Sequence, residues 1–252
     1  MKLLDTVLHR RAMRAWRRAA RGAPDMSLDE LRRIRSGGAR LLHFLQEALA
    51  VADHRLALPV VGSNAFPRPH GTDWSWRPEI WRLPLPVPGL AAVQSGTTLG
   101  RGVTLFHDCA HSELSLRQVR NTRESDLAPY GLRMDTFAFD GSFLSLAIDL
   151  PPEAIEGMTK RHLVRLDTII DMEKPLEIFA RLNVRHGPNT EQIIRKLPLD
   201  AQENTVEFDL AYSSLNEKRL ERAWIDLIFE NPAMSQVTLR DVTFSRRLRA
   251  AL

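Results

Sequence analysis

The chain has 252 residues, 44% of them hydrophobic and 26% charged, which is typical of a folded globular protein and excludes a disordered one. One cysteine excludes an internal disulfide, and no apolar run is long enough for a membrane span or a secretory leader, so we expect a cytoplasmic protein. The net charge of +4 is uneven: eleven Lys/Arg against four Asp/Glu give residues 1–40 a net +7, which leaves −3 for residues 41–252.

Residues 1–54 are predicted to form a basic helical region of two helices. The first helix, about 2–21, places alanines and Trp16 at three- and four-residue spacing, which is the pattern of one apolar helix face. The second helix begins with a capping box, in which Ser27 is the N-cap and Glu30 follows three residues later.

Arginines occupy the other faces of the first helix. A basic amphipathic helix with a tryptophan can lie on an anionic membrane surface. Alternatively it packs its apolar face on the rest of the protein, or binds an acidic partner; nucleic acid is disfavoured because no known binding motif accompanies the charge. The residues predicted to contact a membrane are Arg10, Arg11, Arg14, Trp16, Arg17 and Arg18.

Residues 55–100 are rich in proline and tryptophan. Seven of the fifteen prolines lie between Pro59 and Pro88, a density that excludes helix interiors and central strands. The segment is therefore predicted to be an extended strap that crosses the surface of a core. Three tryptophans would either pin the strap to the core or line a ligand groove: Trp74, Trp76 and Trp81.

Residues 101–252 alternate apolar and polar side chains. Strands are predicted in "FLSLAIDL", "HLVRLDTIIDM", "LEIFARLNV", "NTVEFDL", "AWIDLIF" and "QVTLRDVTF", and weaker ones at 103–107, 113–119, 135–139 and 191–197. A change of parity between Leu239 and Val242 predicts a bulge. Because no helix-length insert separates the strands, we predict a mainly β fold: a jelly-roll-like antiparallel β-sandwich with an N-terminal two-helix extension.

The stretch "TLFHDCAHSEL", residues 104–114, is the candidate for a metal site or a nucleophile. On a strand, His107, Cys109 and His111 would share one face. Two neighbours can bind one divalent metal, but all three cannot without a bend, and a metal would need ligands from another strand. A cysteine nucleophile would lack a recognisable oxyanion loop or third partner. The remaining interpretation is structural, with Cys109 as a small buried side chain.

A candidate ligand face lies on the strand residues that point away from the core. Aromatic rings stack on the apolar faces of sugars, while carboxylates, amides and guanidinium groups bind their hydroxyls. If the strands share a sheet, these side chains come together; the alternative is a second buried layer under the helices or the strap. The predicted ligand-binding residues are Phe179, Arg181, Asn183, Arg185, Trp224, Asp226 and Asp209.

Two resemblances follow from these motifs. The run "FARLNVRHG", "VEFDLAY", "AWIDLIFENP" and "VTLRDVTFSRR" resembles the closing strands of carbohydrate-binding β-sandwich modules, which implies glycan binding. The longer run "DWSWRPEIWRLPLPVPG", "FHDCAHSELSLRQVRN" and "FDGSFLSLAIDLP" resembles an uncharacterised alphaproteobacterial family of unknown function, and that resemblance implies no activity.

The sequence contains no established catalytic motif, which favours a protein that is not an enzyme. We predict a non-catalytic recognition module that binds a glycan or a protein partner and is peripheral at the cytoplasmic membrane surface. One alternative is a metal-dependent, cupin-like enzyme that uses His107, Cys109 and His111; another is a structural subunit of a larger assembly. No cofactor is expected apart from a divalent metal under the enzyme interpretation.

Overall fold

The computed structural model of the protein describes residues 3–57, 65–199, 201 and 203–249. Residue 2 of the first predicted helix and Pro59 of the predicted strap lie outside the described residues. The chain divides into two units, Met1–Val51 and Ala52–Leu252. None of the helices that the structure describes has the length and apolar content that crossing a membrane requires.

The N-terminal unit contains helix α1 (Leu3–Gly22) and most of helix α2 (Leu28–Ala57), up to Val51. The predicted capping box is present: the Ser27 backbone N–H donates to Glu30 Oε2 at 3.1 Å, and the Glu30 N–H donates to Ser27 Oγ at 3.4 Å. The half-buried Trp16 ring lies against Gly38, where a methyl group would come within 3.3 Å of ring atom Cη2. Glycine at this position therefore permits the close approach of the two helices.

The second unit is a β-sandwich. Within the described residues it has thirteen strands and one short helix, α3 (Glu79–Arg82). The strands are β1 (Thr72–Trp76), β2 (Gly89–Ala91), β3 (Thr97–Leu99), β4 (Val103–His107), β5 (Leu114–Arg120), β6 (Tyr130–Thr136), β7 (Leu144–Asp149), β8 (His162–Met172), β9 (Ile178–His186), β10 (Asn189–Lys196), β11 (Glu203–Asp209), β12 (Leu220–Phe229) and β13 (Ser235–Leu248).

The strands form two antiparallel sheets. Along the part of the chain that is described, a seven-stranded sheet has the order β11-β8-β13-β6-β5-β2, with β1 also paired to β13, and a six-stranded sheet has the order β10-β9-β12-β7-β4-β3. From β7 to β13 the chain crosses repeatedly from one sheet to the other, as in a jelly roll. The predicted mainly β, antiparallel sandwich with two N-terminal helices is confirmed.

The core lies between the sheets and consists of the apolar half of each alternating strand. Val164 and Leu166 of β8, and Ile225 and Leu227 of β12, are all completely inaccessible to solvent. Burial of each such side chain contributes about 1.5–3 kcal/mol. The intervening side chains therefore face away from the core, on the outer surface of one sheet or the other.

Two predicted details of the strands have different outcomes. The bulge is confirmed, because the pairing of β13 with β8 shifts register between Leu239 and Asp241. The weak strand at 135–139 is misplaced: β6 ends at Thr136, and Phe137, 55% exposed, begins the connection to β7. The alternation of Phe137 and Phe139 has the opposite parity to the buried Leu132, Met134 and Thr136 of β6, so it does not continue that strand.

The Pro/Trp-rich segment contributes strands to both sheets. β1 and β2 belong to the seven-stranded sheet and β3 to the six-stranded sheet, while the described prolines of the segment precede β1 or lie between β1 and β2. Trp81, in α3, is completely buried, and its indole N–H donates to the Leu239 carbonyl at 2.9 Å. Trp74 and Trp76 are partly buried against the core. The tryptophans thus hold the segment in place as parts of the sandwich.

Candidate functional site

Most of the predicted ligand-binding residues meet on the outer face of the six-stranded sheet. Arg181 of β9 lies opposite Asp226 of β12, and Asn183 lies opposite Trp224. Phe179 lies one step further along β9, opposite Ile228. Arg185 lies at the other end of this row, opposite Arg222 of β12, and its other neighbour is β10, the edge strand of the sheet. Alternation along two neighbouring strands therefore brings these side chains onto one surface.

A hydrogen-bonded polar network lies at the centre of this face. Asp226 is only 5% exposed, and its Oδ2 accepts from Arg181 Nε at 3.0 Å, Arg181 Nη2 at 2.8 Å and Asn183 Nδ2 at 2.9 Å. Asn183 Oδ1 in turn accepts from Gln192 Nε2 of β10 at 3.0 Å. The network spans three strands and fixes the orientation of each side chain before any ligand arrives.

Aromatic and aliphatic side chains flank the network. The Arg222 guanidinium lies 4.9 Å from the Trp224 ring centre, and its Nη2 donates to Asp149 Oδ1 at 2.6 Å. On the other side, a row across four strands begins at Phe179 and Ile228, continues through Ser145 of β7 and ends at Phe106 of β4. The face thus offers an apolar row beside fixed polar groups, with Phe106 42% exposed.

The charges of this face are balanced in pairs. Besides Arg181 with Asp226 and Arg222 with Asp149, Arg185 Nε lies 3.1 Å from Glu221 Oε2. The Arg185 and Glu221 side chains are 57% and 48% exposed, so this pair contributes little to stability. Arg185 therefore lies at the solvated margin of the face, whereas Arg181 belongs to its centre.

Asp209 does not share this face. It is the last residue of β11, which pairs with β8 in the seven-stranded sheet. Its Oδ1 accepts from the Ala211 backbone N–H at 2.9 Å, and its Oδ2 lies 3.5 Å from Arg249 Nη1. Sequence alternation correctly indicates that Asp209 points away from the core, but it does not indicate which sheet holds the strand.

The histidine–cysteine stretch is divided between a strand end and a loop. His107 ends β4 and is 4% exposed, on the core-facing parity of the strand. Its Nδ1 accepts from the Cys109 backbone N–H at 3.2 Å, and its Nε2 lies 2.9 Å from the Val93 carbonyl. His111 is exposed. Within the residues that the structure describes, no three His, Cys, Asp or Glu side chains converge as metal ligands do.

The surroundings of Cys109 disfavour a thiolate. Burial raises the pKa of its thiol, and the nearby Asp140 carboxylate acts in the same direction. Asp108, which sequence reasoning did not single out, organises the loop instead: Oδ1 accepts from the Ser142 backbone N–H at 2.7 Å, and Oδ2 accepts from the Ser142 hydroxyl. The hydrogen bond from the Ser142 side chain is the main reason why the pKa of Asp108 is lowered.

The predicted membrane-contacting residues lie on α1. Their arginines, Arg10, Arg11, Arg14, Arg17 and Arg18, are all exposed. Trp16 is half-buried against Gly38 of α2 and so takes part in the contact between the two helices.

Sequence reasoning missed four residues of the face: Gln192, Asp149, Arg222 and Phe106. Gln192 was within a predicted weak strand, and its outward parity would have indicated it once that strand was placed beside β9. Phe106 lies between the buried Leu105 and His107, so its position in the alternation likewise predicts an outward-facing side chain. Arg222 and Asp149 lie at strand ends, where alternation gives little information about direction.

Comparison with known proteins finds no match among curated proteins. Among solved structures, the chain is similar to the family 11 carbohydrate-binding module from Clostridium thermocellum in complex with a β-1,3-1,4-mixed-linked tetrasaccharide, with 14% identity and a TM-score of 0.39 over 65% of this chain and 99% of that chain. It is also similar to the C-terminal family 22 module of Clostridium thermocellum Xyn10B, with 6% identity and a TM-score of 0.38 over 74% and 99% of the two chains.

A third similarity is to the enzymatically active domain of the bacteriophage CBA120 tailspike protein 4, with 8% identity and a TM-score of 0.41 over 57% of this chain. This chain spans only 19% of that tailspike chain. Carbohydrate-binding modules are thus among the structures to which the sandwich is similar, at low scores. The family match is complete: residues 1–252 match the family of unknown function DUF6478, and the chain belongs to that family.

Proposed function

We propose that the outer face of the six-stranded sheet binds a glycan without catalysing its conversion. The observation that carries the proposal is the network around Asp226, a 5%-exposed carboxylate on the outer side of a sheet rather than in its core. Burying such a group is costly unless all its partners are in place, and here Arg181 and Asn183 both donate to it. The result is a rigid network whose accessible members, Arg181 and Gln192, lie on the outer surface of the sheet.

The neighbouring side chains suit a sugar chain. Trp224 and Phe179 provide apolar surface for the ring faces of a sugar, while the Gln192 amide and the Arg181 guanidinium supply hydrogen-bonding groups for hydroxyls. Since each arginine of the face is already paired with a carboxylate, no strong unbalanced charge favours a polyanion. These features support a glycan over a highly charged ligand.

Glycan binding is tested by calorimetry on the full chain with a panel of soluble oligosaccharides. The panel includes the mixed-linked tetrasaccharide, xylohexaose and β-1,4-galactotriose that occur in solved structures similar to this chain. For any sugar that binds, we expect Trp224→Ala and Gln192→Ala each to weaken affinity, Trp224→Ala by about tenfold because ring stacking and burial are lost.

Tyr212→Ala is the matched control, because this tyrosine is 84% exposed and lies between β11 and β12, outside the proposed face. It should leave the affinity unchanged. Equal losses in Tyr212→Ala and Trp224→Ala, or no binding of any glycan to the wild-type protein, would refute the proposal.

We further propose that the helical unit associates with the cytoplasmic surface of an anionic membrane. Five exposed arginines on α1 support this, together with Leu41, Leu45 and Leu49 of α2, which are 40%, 49% and 59% exposed and share one helix face. Apolar side chains that enter the lipid boundary and arginines that attract anionic headgroups act together in peripheral helices. Each basic residue near the surface contributes roughly 1 kcal/mol.

Co-sedimentation with phosphatidylserine-containing vesicles tests this association. The triple variant Arg14→Glu, Arg17→Glu, Arg18→Glu should stay in the supernatant, because the electrostatic attraction is reversed. A matched triple variant in the sandwich, Arg117→Glu, Arg120→Glu, Arg161→Glu, alters three other exposed arginines and should still pellet. If the wild-type protein does not pellet, or if the two variants behave alike, the proposal is refuted.

A further inference from the structure

A second cleft lies on the outer face of the seven-stranded sheet, apart from the proposed glycan face. Its volume is about 150 Å³, comparable to that of cavities that hold one small organic molecule such as benzene. Phe66 and Pro67, which precede β1, form part of its wall, and its floor includes side chains of β8, β11 and β13. The cleft is therefore large enough for the end of a small organic molecule and too small for a sugar chain.

The floor is a fixed polar network. Asp167 of β8 lies opposite Thr205 of β11 on one side and Thr243 of β13 on the other. Its Oδ1 accepts from the Thr205 hydroxyl at 2.6 Å, and Arg165 Nε donates to its Oδ2 at 2.8 Å. These hydrogen bonds with Asp167 are the main cause of a raised pKa for Arg165. The Asp167 carboxylate is thus fixed in position at the base of the cleft.

Thr243 is the unusual member of this floor. The residue is only 4% exposed, and it lines the cleft. No hydrogen bond of its hydroxyl is found across the described ranges, whereas the Thr205 hydroxyl, on the other side of Asp167, donates to that carboxylate. Because Thr243 lines the cleft, its hydroxyl is available to hydrogen-bond a ligand there.

The wall beside Thr243 is built around a buried ion pair. Arg77 donates to both carboxylate oxygens of Asp241, Nε at 2.9 Å and Nη2 at 2.7 Å. The Phe66 ring centre lies 5.0 Å from the same guanidinium, which fixes the ring at the cleft. The cleft consequently has a rigid apolar wall next to its polar floor.

The charge of the lining is negative. Three carboxylates contribute to it, Asp167, Glu203 and Asp241; Arg165 pairs with Asp167 and Arg77 pairs with Asp241, so the net charge of this group is −1. Carboxylates only accept hydrogen bonds, so the ligand that fits must donate them and is favoured if it is positively charged. The Phe66 and Pro67 wall suits the aliphatic stem that carries such a group.

We propose that this cleft binds an organic cation, an alkylammonium or alkylguanidinium group whose head hydrogen-bonds Asp167 and Thr243 and whose stem contacts Phe66. The same chemical group occurs in free small amines and in the lysine or arginine side chains of a partner protein. The size of the cleft matches one such head and a short stem.

The proposal is tested by titrating the ¹⁵N-labelled full chain with n-butylammonium and N-methylguanidinium while amide chemical shifts are followed. At least one of the two cations should shift the amides of residues 165–168, 205 and 243 with saturation at or below roughly tens of millimolar, which corresponds to a weak but specific site. n-Butanol, which has the same stem without the charge, should not bind.

Two variants and one control identify the site. Asp167→Asn should weaken binding about tenfold, because a charged hydrogen bond is lost. Thr243→Val retains the shape of the side chain, and we expect about fivefold weaker binding. Asp135→Asn is the control, since Asp135 forms the same contact with the arginine two residues before it, Arg133 Nε at 2.9 Å, on β6 of the same sheet but outside the cleft.

The results distinguish a free amine from the side chain of a partner protein as the source of the cation. They also distinguish the proposed cation cleft from the proposed glycan face. Acetylated, amidated Gly-Lys-Gly and Gly-Arg-Gly peptides that bind more tightly than the free cations indicate a partner protein, and the reverse order indicates a free amine. Equal binding of n-butanol, no shifts with either cation, or unchanged affinity in both Asp167→Asn and Thr243→Val would overturn the proposal. Trp224→Ala leaves this cleft intact, so failure of glycan binding does not affect the result.

Discussion

At the scale of single residues, Asp226 holds together the polar groups of the proposed glycan face. In Asp226→Ala, Arg181 and Asn183 lose their common acceptor, and Asn183, which is completely buried, keeps an amide group with fewer partners. The Arg181 side chain is 33% exposed and is partly solvated by water, so we expect a loss of about 2 kcal/mol in the free energy of unfolding, less than for a fully buried pair. Urea denaturation at neutral pH measures it.

Glu221→Ala provides the comparison on the same strand. Both side chains of the Arg185–Glu221 pair are about half exposed, so the loss should stay within about 0.5 kcal/mol. Similar losses in Asp226→Ala and Glu221→Ala would mean that the network around Asp226 does not stabilise the face.

The same residues show what sequence reasoning reaches. Alternation in "LEIFARLNV" and "AWIDLIF" correctly places Arg181, Asn183 and Asp226 on the outer side of their strands, because the side-chain period of a strand is two. It does not reveal that Asn183 donates to Asp226 or that Gln192 donates to Asn183, since those contacts depend on strand order and register. Asp209 has the same outward pattern and belongs to the other sheet.

At the scale of elements, α2 contains two adjacent glycines with different roles. A methyl group on Gly37 would meet nothing within 4 Å, whereas one on Gly38 would lie 3.3 Å from the Trp16 ring. Gly37→Ala should therefore stabilise α2 by about 0.5–1 kcal/mol through helix propensity, and Gly38→Ala should gain less or lose stability because it crowds Trp16. Amide hydrogen exchange in α2 distinguishes the variants, and equal gains would contradict the contact between Trp16 and Gly38.

Strand β1 is attached to the sandwich by a charged cluster around Asp73. Burial opposes ionisation of Asp73, but its hydrogen bonds and charge interactions with Arg246 and His162 outweigh burial and lower its pKa. A carboxyl whose pKa is lowered by folding stabilises the folded state above its unfolded pKa, and that stabilisation disappears as the pH falls through the folded value. The attachment of β1 should therefore weaken below the ordinary aspartate pKa of 3.8.

Asp73→Asn tests this pH dependence. The variant should be less stable than the wild-type protein at neutral pH, and the difference should shrink as the pH falls below about 4, where the wild-type carboxyl is protonated too. Urea midpoints, together with hydrogen exchange at the amides of Trp74 and Trp76, measure the effect. A difference that is constant with pH would show that the ionised form of Asp73 does not contribute.

At the scale of the whole molecule, the Pro/Trp-rich segment, described from residue 65 to residue 100, is part of the sandwich. Trp81 is completely buried and donates a hydrogen bond to the Leu239 carbonyl, so Trp81→Ala should lower the free energy of unfolding by about 3–5 kcal/mol. Val87→Ala, at a 59%-exposed position in the same segment, should change it by less than about 0.5 kcal/mol. Chemical denaturation followed by tryptophan fluorescence compares the free energies of unfolding of the two variants. A small loss for Trp81→Ala would show that the segment contributes little to the stability of the sandwich.

This segment is also where sequence reasoning was least informative about the fold. The strong alternation of the later strands revealed a two-sheet fold because half of each strand is apolar and must be buried. β1, β2 and β3 are only three to five residues long, and prolines lie before β1 and between β1 and β2, so the composition of this segment resembles an extended strap more than a set of strands. Their pairing depends on strands far away in the chain, which local patterns do not identify.

The position of β13 has a consequence for how the protein is made. β13 lies between β8 and β6 and also pairs with β1, yet it follows all of them in the chain. On the ribosome, β6 and β8 emerge first and leave unpaired edges at the place where β13 later inserts. The seven-stranded sheet is therefore completed only after β13 (Ser235–Leu248) has been synthesised, and until then the edges of β6 and β8 are open to pairing with other chains.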